Sequence, residues 1–276
     1  MIQALKAKSR LIKQGVAAAV LGASLLFFGY SLYKNWQELQ SYDWHFNVFY
    51  LLGAVVALLG AFMSNVGGWA VIIRRLGVST SLRKNVEIYC LAAHAKRLPG
   101  IVWYVAGRAY LYQNAGVPVA VVVQGSLWEM ALLVLSGLTI YGVFRPFYWA
   151  SQHAYFNYLL LATIPISLVV AFPSVFQRLL PWLWRDWRAE HLVQVSPRNK
   201  ALWISIYLLG WIAGGSILYF LMGAVSPVSL PLLPVCWGFV ALSGVISVFA
   251  FFLPGGVGIR EISLALLLSD YIPWSV

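Results

Sequence analysis

Two Pro-Gly segments place charged side chains inside stretches that are otherwise apolar. The first reads KRLPGIVWYVAGRAYLY (96–112), and the second reads FFLPGGVGIREISLALL (251–267). Each contains Leu-Pro-Gly, a later Gly and then an Arg, which is Arg108 in the first segment and Arg260 in the second. Pro cannot continue a helix and Gly permits a sharp turn, so each segment predicts a broken helix whose new N-terminus offers free N–H groups. Such a turn beside a guanidinium suits a phosphate or another anionic headgroup.

The candidate substrate-binding residues are the turn residues, the nearby cations and the carboxylates that accompany them. They are Lys96, Arg97, Pro99, Gly100, Gly107, Arg108, Glu129, Pro254, Gly255, Gly256, Gly258, Arg260 and Glu261. We expect Arg108 and Arg260 to face a shared polar cavity that opens to the cytoplasm or the headgroup layer. Glu261 is predicted to have a structural role.

Glu129 lies in the middle of an apolar run, QGSLWEMALLVLSG. An ionised side chain at that depth is costly unless it is paired, so Glu129 predicts a partner. The nearest chemical matches are Arg108, Arg260 and the second Gly-rich turn. Three roles remain open from the sequence: a structural ion pair, a proton acceptor, or a contact for a cationic headgroup.

The composition identifies an integral membrane protein. Of its 276 residues, 61% are hydrophobic and only 10% are charged, and the mean hydropathy is +0.80. Soluble domains are nearer half apolar and a quarter charged. The apolar runs are continuous and reach the roughly 20 residues that a spanning helix needs, whereas the strands of an outer-membrane barrel alternate. We therefore expect an all-α, polytopic protein.

The net charge and the cysteines indicate which binding partners and cofactors to expect. The net charge is +11, and most basic residues fall in short loops, where they set topology and meet anionic lipid headgroups. A membrane and an anionic lipid are therefore the expected partners, and nucleic acid is not. Cys90 and Cys236 both lie in apolar segments and the four histidines are scattered, so we expect no disulfide framework, metal site or cofactor.

Apolar segments long enough to enter a membrane recur along the whole chain. The clear spanning candidates are 14–33, 48–72, 118–144, 156–176, 202–224 and 230–252, and the two interrupted segments are 86–112 and 254–270.

The positive-inside rule decides how the first interrupted segment sits in the membrane. Cations before residue 14 place the N-terminus in the cytoplasm. If 86–112 crossed the membrane, the five cations of 178–200 would lie outside, against the rule. We therefore expect a single domain over 1–276 with about six full spans and two re-entrant half-helices on the Pro-Gly turns. One uninterrupted helix over 86–112 would contradict this topology.

These motifs resemble the lysylphosphatidylglycerol synthase transmembrane-region family, which includes the flippase-like domain of the bacterial multiple peptide resistance factor and stand-alone relatives. The family pattern has a Leu-Pro-Gly turn followed by a Gly and an Arg, then a helix with a Glu, and finally a Pro-Gly-Gly-x-Gly-x-x-Glu turn. The matching residues are Leu98, Pro99, Gly100, Gly107, Arg108, Glu129, Pro254, Gly255, Gly256, Gly258 and Glu261. The resemblance runs from about residue 10 to the end and implies a flippase-like domain in the bacterial cytoplasmic (inner) membrane.

The chain also departs from the family pattern. Met130 and Leu133 stand where members often carry an Arg and an acid. Members usually continue past the last turn with another helix and a basic tail, so the domain is expected to be truncated at its C-terminus. The soluble aminoacyl-transferase domain of the synthases is absent from this sequence, so lysyl transfer is not implied and the chain is not expected to be an enzyme.

Three functions compete. The leading hypothesis is translocation of a phospholipid or a polyprenyl-phosphate-linked lipid, with its headgroup held by the arginines and Gly turns. The second is a membrane glycosyltransferase that uses a polyprenyl-phosphate sugar, for which Asp43, with Glu38 behind it, is the candidate catalytic carboxylate. The third is a non-catalytic membrane subunit that recruits a partner synthase or glycosyltransferase.

Overall fold

The computed structural model describes a large part of a helical bundle. Its described residues are 46–94, 102–144, 195–249 and 258–269, together with 22, 26, 29–30, 32–41, 147 and 271. The regular secondary structure within them is helical, and the chain is an all-α, polytopic membrane protein, as its composition predicts. The predicted span 156–176 lies outside the described residues, as does most of 14–33.

The described part of the chain forms helices of very different lengths. In chain order they are α1 (Trp36–Ser41), α2 (Val48–Arg75), α3 (Leu82–His94), α4 (Val102–Gln113), α5 (Val119–Val143), α6 (Pro197–Val225), α7 (Leu232–Phe249) and α8 (Ile259–Leu268). Helices α2, α5 and α6 are long and apolar enough to cross a membrane, which confirms the predicted spans 48–72, 118–144 and 202–224. Helix α7 corresponds to 230–252, and 18 of its residues lie in the described part of the chain.

Helices α2 and α6 extend beyond the apolar runs that predicted them. Helix α6 begins at Pro197 because the Ser196 side chain accepts a hydrogen bond from the Asn199 N–H and because Pro fits the first turn of a helix. Helix α2 continues through Arg74 and Arg75, whose cations interact favourably with the helix C-terminus.

Helices α2 and α6 form an antiparallel pair along their whole length. A Cβ built on Gly53 would lie 3.0 Å from the ring of Phe220, and one built on Gly68 would lie 3.0 Å from the ring of Tyr207. Glycines therefore allow the two helices to approach closely at both ends of the contact. Because the pairing runs in opposite directions, α2 ends at the same face of the bundle at which α6 begins.

Helices α3 and α4 form a short antiparallel hairpin. The Tyr112 hydroxyl donates to the Asn85 side-chain oxygen at 2.6 Å, and Arg108 lies 5.1 Å from the ring of Tyr89. With 13 and 12 residues, the helices are roughly 18–20 Å long, against about 30 Å for the hydrocarbon core. The segment 86–112 is thus not one continuous helix, although its Leu-Pro-Gly turn lies outside the described residues.

Helix α5 starts beside this hairpin and runs parallel to α6. A Cβ built on Gly125 would lie 3.2 Å from the ring of Trp69, which places the start of α5 at the end of α2. Further along, Trp128 packs edge-on against Trp203 of α6 at 5.9 Å. The start of α5, both open ends of the α3–α4 hairpin and the start of α6 therefore share one face of the bundle.

Helix α7 returns along α5, and its described part reaches to near the middle of the bundle. The rings of Phe144 and Trp237 lie 4.9 Å apart, and a Cβ built on Gly137 would lie 2.7 Å from Val245. This register places the end of α7 one further turn along, close to the level of Glu129.

Helix α8 folds back along α7. The ring of Tyr271 packs against Phe239 at 5.6 Å, and Leu267 joins the apolar cluster between α5 and α7. The second broken segment thus also reverses direction, and its Pro-Gly-Gly turn lies within the undescribed residues 250–257.

Candidate functional site

A buried ion pair lies at the centre of the described bundle. The Nη1 of Arg108 on α4 donates to the Oε2 of Glu129 on α5 at 2.5 Å. Their side chains are 0% and 2% exposed, respectively. A charge in such a position is stable only when it is paired, so this contact confirms the prediction that Glu129 meets a cation of the broken segments.

Three aromatic rings surround the Arg108 guanidinium. Its Cζ lies 3.7 Å from the ring centroid of Trp69, 4.2 Å from that of Tyr104 and 5.1 Å from that of Tyr89. We call these three rings the aromatic cage. They come from α2, α4 and α3, so the cation ties the hairpin to the long helix. A desolvated cation–π contact contributes about 2 kcal/mol, which offsets part of the cost of removing the guanidinium from water.

A chain of hydrogen bonds fixes the cage. Trp69 Nε1 donates to the Tyr112 hydroxyl at 2.8 Å, and that hydroxyl donates to Asn85 Oδ1 at 2.6 Å. Thr80 Oγ1 also donates to Asn85 Oδ1 at 2.6 Å. These buried bonds leave little freedom for the indole that faces Arg108, because breaking one leaves a buried polar group without a partner.

Several buried polar atoms around the ion pair make no hydrogen bond. Among the described residues these atoms are Arg108 Nε and Nη2, Glu129 Oε1, Trp203 Nε1 and the Tyr207 hydroxyl. Trp203 and Tyr207 lie four residues apart on one face of α6, and Tyr207 interacts electrostatically with both Glu129 and Arg108. The atoms are mostly donors, so the region has more hydrogen-bond donors than acceptors.

One protein-family model matches nearly the whole chain. The model of the family described as "Lysylphosphatidylglycerol synthase TM region" matches residues 15–275. The chain belongs to this family. As a lysylphosphatidylglycerol synthase TM region, it is a multi-pass membrane domain with a lipid-related membrane function. No curated protein matches the chain.

In the second motif of the lysylphosphatidylglycerol synthase TM region, Gly258 and Glu261 form the start of helix α8. Gly258 has a backbone φ of 88°, a conformation that favours glycine, and it immediately precedes α8. Its N–H donates to Glu261 Oε2 at 2.8 Å, so Glu261 caps its own helix. Arg260 is exposed on the first turn of α8.

The described residues do not bring the two arginines together. Arg108 is enclosed by the aromatic cage and Glu129, whereas Arg260 is exposed, so the shared open cavity that the sequence predicted is not seen in them. Gly107 is half-buried on α4, beside Arg108. The remaining predicted site residues lie outside the described part of the chain: Lys96, Arg97, Pro99, Gly100, Pro254, Gly255 and Gly256. Headgroup binding by these residues stays a prediction.

Sequence reasoning missed the side chains that surround the ion pair. A signal for them existed in the spacing of polar and aromatic residues, because Tyr104, Arg108 and Tyr112 recur every four residues and so share one face of a helix. Asn85 and Tyr89 repeat this spacing in the facing helix. Nothing comparable marks Trp69, which lies in a long apolar run.

Proposed function

We propose that this domain translocates a phospholipid or a polyprenyl-phosphate-linked lipid across the bacterial cytoplasmic membrane, and that the anionic headgroup interacts with Arg108. The observation that carries the proposal is a buried guanidinium with unpaired donors in the middle of an apolar bundle. In this proposal the N-terminus is cytoplasmic and the chain is a transporter rather than an enzyme.

The donor pattern supports an anionic, oxygen-rich headgroup. Arg108 uses Nη1 for Glu129, which leaves Nε and Nη2 as a pair of neighbouring donors. Guanidinium binds two oxygens of a phosphate through such a pair. Trp203 Nε1 and the Tyr207 hydroxyl supply further unpaired donors nearby. A phosphate presents acceptors only, so it complements this set better than a headgroup without oxygens.

Glu129 fits the proposal as an exchangeable partner. A buried Arg without a counterion is costly, so the resting domain needs a carboxylate at this position. When a headgroup anion approaches Arg108, it competes with Glu129 for the same cation. Such an exchange avoids ever leaving the guanidinium uncompensated, and it also prevents the headgroup from being held permanently.

The depth of the site supports movement of a headgroup through the membrane. Glu129 comes ten residues after the start of α5, or about 15 Å along the helix, near the middle of a hydrocarbon core of about 30 Å. The described part of α7 ends about one turn from this level, and the described helices of both broken segments run back along each other. Paired broken helices at the bilayer midplane are typical of transporter sites.

Two other functions remain alternatives. A glycosyltransferase requires Asp43, which lies outside the described residues, and a non-catalytic subunit requires a surface for a partner synthase. In either alternative the ion pair would have a structural role only.

The proposal is tested by comparing three variants in cells that carry the protein. Lipid mass spectrometry on the purified protein first identifies the bound lipid, and exposure of its headgroup on the outer leaflet is then measured. We expect the double variant Arg108→Met/Glu129→Leu to abolish exposure, and Tyr110→Phe, an exposed tyrosine on the same helix, to retain it. Loss of activity in Asp43→Asn with normal activity in the double variant would favour the glycosyltransferase.

A further inference from the structure

We propose a second anion site at the end of the α2–α6 pair, where Arg75 and Arg198 hold the phosphate of an anionic phospholipid. The two arginines line a recess of about 470 Å³ together with Ser196, Asn199 and Leu202. This recess is distinct from the Arg108–Glu129 pair, and its occupancy does not depend on transport.

The lining of the recess has the chemistry of a phospholipid headgroup. Arg75 and Arg198 line it, the hydroxyl and amide side chains of Ser196 and Asn199 can donate hydrogen bonds, and none of its described lining residues is a carboxylate. Leu202, which is 44% exposed, supplies an apolar side toward the bilayer. A phosphodiester with acyl chains attached matches both the cationic and the apolar part.

The charge at this end of the bundle is not neutralised by described side chains. Neither Arg75 nor Arg198 forms an ion pair with a described carboxylate, and Arg74 lines a neighbouring recess of about 550 Å³. The described Glu87 is already paired with Lys84. The local potential therefore attracts an anion from the membrane surface.

The position of the recess fits a lipid rather than a dissolved anion. It lies where two membrane-spanning helices emerge, which is the level of the headgroups. Trp69 of the aromatic cage comes six residues before Arg75, about 9 Å along α2. A headgroup held in the recess would thus stand one to two helical turns from the buried pair.

The test measures retention of phosphatidylglycerol by the full-length protein. The protein is reconstituted in phosphatidylcholine nanodiscs with and without phosphatidylglycerol, and retained lipid is counted by native mass spectrometry. We expect Arg75→Gln and Arg198→Gln each to weaken retention about fivefold, the loss expected for one cation near the membrane surface. Arg83→Gln, which removes an exposed arginine outside the recess, should leave it unchanged.

Two results would overturn the proposal. An equal loss in Arg83→Gln would show that surface charge in general, rather than this recess, retains the lipid. Binding of inorganic phosphate to the protein in phosphatidylcholine nanodiscs, as tight as that of the lipid and equally sensitive to Arg75→Gln, would identify a site for free oxyanions. Circular dichroism and size-exclusion profiles matching wild type establish that each variant is folded.

Discussion

The Arg108 guanidinium depends on a single carboxylate for its charge compensation. Its cation–π contacts with the aromatic cage stabilise it, but rings do not neutralise a charge in a low-dielectric interior. Substitutions can separate the structural role of the pair from the transport role that we propose for it.

Removal of both partners should cost much less stability than removal of one partner. Glu129→Leu leaves Arg108 uncompensated and should destabilise the protein by about 3–5 kcal/mol. Glu129→Gln should cost less, because the amide oxygen still accepts from Arg108, yet it should impair transport because the charge is lost. Arg108→Met/Glu129→Leu should regain most of the stability and remain inactive. Thermal unfolding in detergent and the outer-leaflet assay check this, and full activity in Glu129→Gln would reduce Glu129 to a packing role.

We expect the Tyr112 hydroxyl group to contribute to the free energy of unfolding. Tyr112→Phe removes the acceptor of Trp69 Nε1 and the donor to Asn85, so a buried indole N–H loses its partner. We expect a loss of about 1–3 kcal/mol, seen as a lower Tm. Tyr110→Phe on the same helix is the control, because Tyr110 is 64% exposed. Equal Tm values for the two variants would show that the hydrogen-bond chain contributes nothing to stability.

At this scale the sequence predicted a partner for Glu129, with Arg108, Arg260 and the second Gly-rich turn as alternatives, but not the surroundings of the pair. A mid-helix Glu in an apolar run requires a partner, and few cations lie inside the apolar segments, so the choice was already limited before the structure identified Arg108. The cage could not be predicted in the same way, because aromatic residues make up 16% of the chain and are not restricted to sites. Only the three-dimensional packing distinguishes Trp69 from other buried tryptophans.

Among the helices, close packing depends on a few glycines that face a rigid neighbour. A Cβ built on Gly215 would lie 2.5 Å from the backbone Cα of Trp237, whereas one built on Gly214 would lie 3.9 Å from Val240. Backbone cannot move aside as a side-chain terminus can, so α6 and α7 would have to separate to accommodate a methyl group at position 215.

Alanine at these two neighbouring glycines should therefore have different consequences. Gly215→Ala should destabilise the protein by about 1–3 kcal/mol through overpacking. Gly214→Ala should be neutral or slightly stabilising, because alanine is the better helix former. The Tm of each variant in detergent is the measurement, and similar values would mean that α6 and α7 are not in firm contact here.

The helix lengths show what hydropathy predicts and what it misses. The apolar runs located α2, α5 and α6, but α6 begins at Pro197, before the predicted 202, because capping and proline geometry set a helix start independently of hydrophobicity. The Pro-Gly breaks predicted two interrupted segments, and charge counting favoured a hairpin for the first. Which residues of α3 and α4 face each other was not predictable, since this depends on packing against α2 and α5.

For the molecule as a whole, the hairpin determines which residues share a side of the membrane. The bond between Tyr112 and Asn85 places the start of α3 and the end of α4 together. Ser81 and Asn114, just outside these two helices, should therefore be accessible from the same side.

Cysteine labelling measures this topology. In a background with Cys90 and Cys236 replaced by Ala, Ser81→Cys and Asn114→Cys should both react with a membrane-impermeant maleimide from the cytoplasmic side only. Ser226→Cys, at the far end of α6, is the control and should react from outside. Labelling of Ser81→Cys and Asn114→Cys from opposite sides would mean that 86–112 crosses the bilayer.

The full-length contact between α2 and α6 also limits how the domain can deform. Two helices joined at close range along their entire length behave as one stiff column, and the short helices packed against them carry fewer backbone hydrogen bonds each. Opening motions should therefore be concentrated in α3, α4 and α8. In hydrogen–deuterium exchange, amides of α2 and α6 near Gly53, Gly60 and Gly68 should exchange slowest, while α3 and α4 should exchange together and faster. The α2–α6 pair would then be the rigid part of the domain. If a headgroup passes through the bundle, we expect the α3–α4 hairpin to move away from that pair.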